Sequence, residues 1–177
     1  MKFECINNQF VEISILGYEC PLRKDSDRWE KNWLSVQFNV KDNKKNWNKT
    51  DPVITTFELQ RLIDWLNTIS ENKAYKRTLS SGQVMEFKTI DFTERNLSFE
   101  LINDFDSNIK QIKIIFRGEI KPINDTGTEF SKEFCFKEEL DPIIEEAEYS
   151  IELNATNDQL KKYSEELEIE LSKYPER

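Results

Sequence analysis

Leu34-Ser35-Val36-Gln37-Phe38-Asn39-Val40 alternates an apolar side chain with a polar one at every step. A period of two over seven residues is the pattern of a strand with one face in a core and one toward water. The same alternation recurs at Val11, Ile13 and Ile15, at Leu97, Phe99 and Leu101, and at Tyr149, Ile151 and Leu153. Ile112, Ile114 and Phe116 follow it too, although Ile115 interrupts the polar face. Residues 84–90 and 128–136 read as weaker strands of the same kind. Short polar connections lie between these runs: Ser81-Gly82 between 75–79 and 84–90, Asp104 to Asn108 between 97–103 and 109–120, and Asn124 to Gly127 between 109–120 and 128–136. Such turns predict antiparallel hairpins, and so a meander.

Two segments change to the helical period. In 56–70 the stripe is Leu59, Leu62, Ile63, Leu66 and Ile69, with Thr55 and Glu58 spaced as a capping box and Ile54 placed to staple against Leu59. In 157–173 it is Leu160, Tyr163, Leu167, Leu171 and Tyr174, with Thr156 and Gln159 at the start and Pro175 after the end. Glu165, Glu166, Glu168 and Glu170 lie away from that stripe. Ile169 also lies off it, which would give the helix a second neighbour. The expected fold is α+β: an antiparallel meander of seven or eight strands, curled into a sandwich or partial barrel and covered by two amphipathic helices. The stretches 21–32 and 43–53 read as loops, and their Trp29 and Trp47 are expected to pack on the body rather than to anchor a partner.

The chain has 177 residues and no internal repeat or Pro- or Gly-rich linker, so one domain over 1–177 is expected. Hydrophobic residues make up 37% and aromatics 12%, enough to build a core, so disorder is not expected. The start Met1-Lys2-Phe3-Glu4-Cys5 puts an acid where a signal peptide needs apolar residues, and no run is long enough to span a bilayer. Three scattered cysteines (Cys5, Cys20 and Cys135) make no framework and read as small buried residues in a reducing cytosol.

Chemistry is hard to place on this composition. There is no His, which removes the commonest general base and most zinc sites. No phosphate-cradling glycine loop occurs, and no cofactor is expected. Asp104-Phe105-Asp106-Ser107-Asn108 starts like a calcium loop, but Ile109 stands where the turn needs Gly, and Ile115 where a bidentate Glu is needed. It reads as a hairpin tip. Basic residues interleave with aromatics at Arg28 to Trp33 and Lys44 to Lys49, but the patches are short and the chain carries −9, so nucleic acid is not expected as a partner. The charge is uneven: residues 1–50 carry nine bases and seven acids, 51–137 twelve and fourteen, and 138–177 four and thirteen.

The strand Val11 to Pro21, with its Gly17-Tyr18-Glu19-Cys20-Pro21 end, is followed by a polar loop, by Asn32-Trp33-Leu34 and by the alternating strand. In this the chain resembles the WapI family of bacterial immunity proteins. Helix 56–70, the run Asn96 to Leu101 and the last helix ending Leu171-Ser172-Lys173-Tyr174-Pro175 fall in the same order. Cys20 stands where the family has an aromatic, and 104–128 departs from its pattern. The motif is structural: Trp33 and Leu34 begin a core strand, and Gly17 with Pro21 shapes its entry. The resemblance implies a non-enzymatic cytosolic protein that neutralises the C-terminal domain of a secreted polymorphic toxin, in one branch a tRNA-cleaving nuclease. Charge alone places the partner-binding face at Glu138, Glu139, Asp141, Glu145, Glu146 and Glu148, with the outer glutamates of the last helix, facing a basic toxin domain. Two rivals remain at this point: a carboxylate-based hydrolase of a small or sugar substrate, and a non-catalytic adaptor with a wide apolar patch.

Overall fold

A computed structural model describes residues 1–20, 27–43, 46–122 and 148–177. The alternating runs form strands. Strands β1 (Lys2–Glu4), β2 (Phe10–Tyr18), β3 (Trp33–Lys41) and β4 (Asn46–Thr55) make one antiparallel sheet in that order. A hairpin of β5 (Lys76–Thr78) and β6 (Val84–Glu86) comes next. Strands β7 (Thr89–Asp91), β8 (Leu97–Leu101), β9 (Ile109–Phe116) and β10 (Tyr149–Thr156) make a second antiparallel sheet. Every pair joins strands that are consecutive among these ten. The expected α+β meander is therefore present, divided into two sheets and a hairpin that do not close into a barrel.

The expected strand at 84–90 is two strands. It breaks at Phe87-Lys88, where the Phe87 amide donates to Tyr75 O and the Leu101 amide to Lys88 O, so the chain changes partners there. The weaker strand expected at 128–136 lies outside the described residues.

The stretch 43–53 is a correction. All of it from Asn46 on is strand, paired with β3 as far as Thr55. Polar residues and Pro52 hid it, and both have one reason: β4 is an edge of its sheet, where Pro loses no ladder bond. The stretch 21–32 is corrected in part, since Arg28–Asn32 is a short helix, α1, capped by the Asp27 carboxylate accepting from the Glu30 amide at 2.8 Å.

The apolar faces of the two four-stranded sheets meet in one core. Phe3 of β1 packs on Phe99 of β8, and Phe38 of β3 on Phe116 of β9, with ring centroids 5.6 and 5.7 Å apart. In β2 the alternation passes a bulge at Leu16-Gly17, which leaves Leu16 exposed and Gly17 at φ +154°. Between β1 and β2 the chain turns through Asn7 and Asn8, both at φ 59°, a left-handed conformation that Asn tolerates.

Both long helices form where the sequence places them. Helix α2 (Thr56–Ser70) and helix α3 (Asn157–Ser172) each begin with a complete capping box, Thr55 with Glu58 and Thr156 with Gln159. Helix α2 is buried beyond one stripe: Trp65, Thr56 and Glu58 are covered along with the five expected residues. A buried carboxylate is costly unless its oxygens are satisfied. Glu58 accepts from the Thr55 amide and hydroxyl at 3.0 Å each, and from the Thr93 amide and hydroxyl at 2.7 and 2.6 Å. It thus joins the start of α2 to the β7–β8 turn. Helix α3 lies against α2, its Ser164 hydroxyl bonded to Asn67 Oδ1, and its Tyr163 ring sits 4.8 Å from Phe3.

Candidate functional site

Of the acids expected to meet a partner, Glu138, Glu139, Asp141, Glu145 and Glu146 lie outside the described residues. Glu148 is described, and its carboxylate accepts from Arg117 Nε at 2.6 Å. The same guanidinium reaches the Ser98 hydroxyl at 2.5 Å and Arg95 O at 3.3 Å. Glu148 is therefore engaged within the molecule. Residues 138–147 hold five acids and no base, while 148–177 hold eight acids and four bases.

Helix α3 carries the rest of the expected acidic face. Glu170 is held by Lys173 at 2.6 Å, and Glu166 lies 3.9 Å from Lys162. Glu165 and Glu168 are exposed and form no ion pair among the described residues. Ile169, expected to meet a second neighbour, is 62% exposed instead. The inward side of α3 is already filled by Leu160, Tyr163 and Leu167, so the off-stripe position faces water.

The motif around Gly17-Tyr18 and Asn32-Trp33 does more than start a strand. Trp33 does open β3, and Leu34 is fully buried. Asn32 is fully buried as well, and all of its amide's capacity is used. Its Nδ2 donates to Arg28 O at 2.7 Å and to Arg177 O at 3.2 Å. Its Oδ1 accepts from the Thr56 hydroxyl at 3.0 Å and the Arg177 amide at 2.9 Å. The chain after α3 is thereby strapped across the motif. The Tyr18 hydroxyl donates to Pro175 O, and the Tyr18 ring is covered by the Arg177 guanidinium, 3.3 Å from its centroid. Arg28 Nε donates to Glu176 at 2.6 Å, and the Tyr174 ring meets Tyr18 edge-on at 5.7 Å. Sequence reasoning missed this clamp. Its one linear trace is Tyr174-Pro175 just after the helix end, and partners 145 to 157 residues away leave no local signal.

The calcium-like turn is a hairpin tip, as expected, and a side chain occupies its acceptors. Lys110, fully buried, donates from Nζ to Phe105 O at 2.7 Å, to Ser107 O and to Asn72 Oδ1 at 2.6 Å. Burial pulls this ammonium below the usual lysine range, and Asp106 nearby pulls it back. Asn157 donates to the same Asn72 oxygen at 3.1 Å, so one cation joins the hairpin to the ends of both long helices.

The remaining candidates divide. Trp47 packs among Phe116 and Tyr149, at 5.2 and 5.6 Å, as expected. Trp29 is 47% exposed and stands edge-on to Phe57 at 4.5 Å, so its packing is partial. Cys5 and Cys20 are half-buried rather than buried, and Cys135 lies outside the described residues. Burial pushes the Cys5 thiol up to about 12, which keeps it protonated and unreactive. An open groove of about 210 Å³ is lined by Phe10, Asn39, Val40, Lys41, Asn46, Trp47 and Asn48. It holds no carboxylate, so the convergent pair that a carboxylate hydrolase requires is not formed there. Asp51, raised by burial and by the charge of Glu119, has no place in its lining. Among the described residues no group of three or more His, Cys, Asp or Glu is placed to hold a metal, and no helix is long and apolar enough to cross a membrane.

The sequence model of the WapI-like immunity protein family matches residues 2–175. The chain belongs to that family. No curated protein and no solved structure matches it. Membership in a WapI-like immunity family implies a protein partner, a toxin. The matched span includes Tyr18, Arg28, Asn32, Tyr174 and Pro175 of the clamp and stops short of Glu176 and Arg177.

Proposed function

We propose that this protein is a cytosolic antidote: it binds the toxin domain of a polymorphic toxin, in the tRNA-cleaving branch a nuclease, and blocks it without chemistry of its own. The observation that carries this reading is the family match over residues 2–175. Charge supports it. A nuclease cleft is lined with bases that hold phosphates, and an acidic surface is attracted to that cleft from a distance and fills it on contact. The chain's −9 and the stretch 138–147, with five acids and no base in its sequence, suit that role. Glu138, Glu139, Asp141, Glu145 and Glu146 are the proposed contacts there, and Glu148 contributes less because Arg117 already neutralises it.

The test is co-expression in a bacterial host of this protein with the C-terminal domain of a large secreted toxin, sought first in the neighbouring gene. Growth should be restored and a stable complex recovered. Replacing Glu138, Glu139, Glu145 and Glu146 by Lys should slow association about tenfold or more at low salt, since steering by charge is lost. Failure of the wild-type protein to protect, or turnover of a substrate by the purified protein, would overturn the reading.

A further inference from the structure

We infer that Tyr18 and Asn32 form a peptide-recognition site for an arginine-bearing segment of the toxin domain, and that the chain's own residues 174–177 occupy it until that segment displaces them. The inference deepens the proposed function and rests on it for the source of the segment. The receiving amide is oriented without the strap. Asn32 is fully buried, and two of its four hydrogen-bonding positions are spent inside the body. Its Nδ2 donates to Arg28 O at 2.7 Å, and its Oδ1 accepts from the Thr56 hydroxyl at 3.0 Å. Neither bond involves the strap, so both hold the amide plane when the strap leaves. One donor hydrogen and one acceptor lone pair remain, and they meet Arg177 O at 3.2 Å and the Arg177 amide at 2.9 Å. These two bonds read backbone alone, from any residue that turns its N–H and C=O to one side, as strand residues do. Selection comes from Tyr18. Its ring takes the Arg177 guanidinium 3.3 Å from its centroid, and its hydroxyl donates to Pro175 O. A planar guanidinium stacks on an aromatic face more readily than an ammonium.

The segment now in the site is held lightly. Pro175, Glu176 and Arg177 are exposed. The side chains of the Arg28–Glu176 ion pair are 68% and 48% open to water, where such pairs contribute little. A segment with so few buried contacts opens at a small fraction of the free energy of global unfolding. The receiving side is fixed by contrast: Tyr18 closes β2, and Asn32 leads directly into Trp33-Leu34 of the core strand β3. Charge selects what enters. An arginine that leaves water for the Tyr18 ring does so on a chain of −9, which draws a basic toxin domain from a distance. A second copy of this chain offers the same four residues. Each copy seats its own, however, at the high effective concentration of a single chain, and two chains of −9 repel.

The probe is a peptide of residues 173–177, acetylated and amidated, titrated calorimetrically into the full chain. Two forms of the chain are compared: wild type, and Glu176→Arg with Arg177→Glu. The double variant sets a cation against Arg28 and a carboxylate against the Tyr18 ring, and so unseats the strap. It should bind the peptide at least about tenfold tighter than wild type, whose own strap competes. A peptide with Ala in place of its arginine should bind the double variant at least about fivefold more weakly, because the contact with the Tyr18 ring is lost. That arm leaves the protein unchanged, so misfolding cannot produce it. Thermal melting checks each variant, and Arg177→Glu alone replaces the pair if the pair does not fold. The catalytically disabled toxin domain from the co-expression test should bind Tyr18→Leu at least about fivefold more weakly than wild type. Binding of the peptide by neither form, equal binding by both forms, or equal binding of the two peptides would refute the site. If the peptide arms succeed and the toxin domain binds Tyr18→Leu as tightly as wild type, the toxin is refuted as the source while the antidote reading stands. If the wild type does not bind the toxin domain, the antidote reading fails, and with it the source named here, whereas the peptide arms still decide the site.

Discussion

Replacing Asn32 by Ala takes one buried amide out of four hydrogen bonds. The Thr56 hydroxyl and the Arg177 amide lose an acceptor, and Arg28 O and Arg177 O lose a donor. Each such bond contributes about 1 kcal/mol net, and more where its partner stays buried and unpaired. The Arg177 groups are at an exposed residue and can turn to water, so their share is small. Thr56 is buried, and the methyl of Ala leaves a small void beside it. The sum is a loss of about 2–4 kcal/mol. For a chain of this size that is roughly 5–15 °C in melting temperature. Urea denaturation monitored by tryptophan fluorescence reads the free energy. A second readout is specific to the clamp: carboxypeptidase should trim residues 174–177 faster in the variant than in wild type, because the Asn32 bonds to Arg177 are gone and the contacts to Tyr18, Arg28 and Ile15 remain. A loss under about 0.5 kcal/mol with unchanged trimming would refute the account of Asn32 as the residue that fastens the strap.

Three further outcomes are expected. Asp51→Asn should raise stability at neutral pH by a few tenths of a kcal/mol, because Asp51 is only partly buried and solvent screens it. Its folded pKa lies above 3.8, so the wild type binds its proton more tightly when folded and loses stability as pH rises through that window. The gain of the variant should therefore vanish in melts below about pH 3.8. Gly118→Ala should cost about 1–2 kcal/mol in urea, since φ is +54° and the new Cβ would lie 2.6 Å from Asn96 Oδ1. Lys110→Met should cost about 2–4 kcal/mol, as buried oxygens lose their donor, while millimolar calcium should leave the wild-type melting temperature unchanged because the ammonium already fills the turn.

Local patterns were legible where the physics is local. The alternation from Leu34 to Val40 and the stripe from Leu59 to Ile69 each fix a period, and a period fixes which face is apolar. The capping pairs Thr55 with Glu58 and Thr156 with Gln159 fix where helices begin, because both partners lie within one turn. β4 was missed because an edge strand needs no apolar alternation, and Asn46 to Pro52 shows none. The split at Phe87-Lys88 was missed because it reflects a choice between two strands, β5 and β8, that the local sequence does not encode.

The candidate surface shows the same division. The sequence by itself determined that the chain is acidic toward its end, that two amphipathic helices cover antiparallel strands, and that the Gly17-Tyr18 and Asn32-Trp33 stretches resemble one family. Tertiary structure alone decided which of the described acids are paired. Arg117, just past β9, reaches Glu148, just before β10, and Ile169 faces water because Leu160, Tyr163 and Leu167 already fill the inner side of α3. Charge is a property of residues, but whether a charge is neutralised, or an apolar side chain covered, depends on what the fold brings beside it from far along the chain.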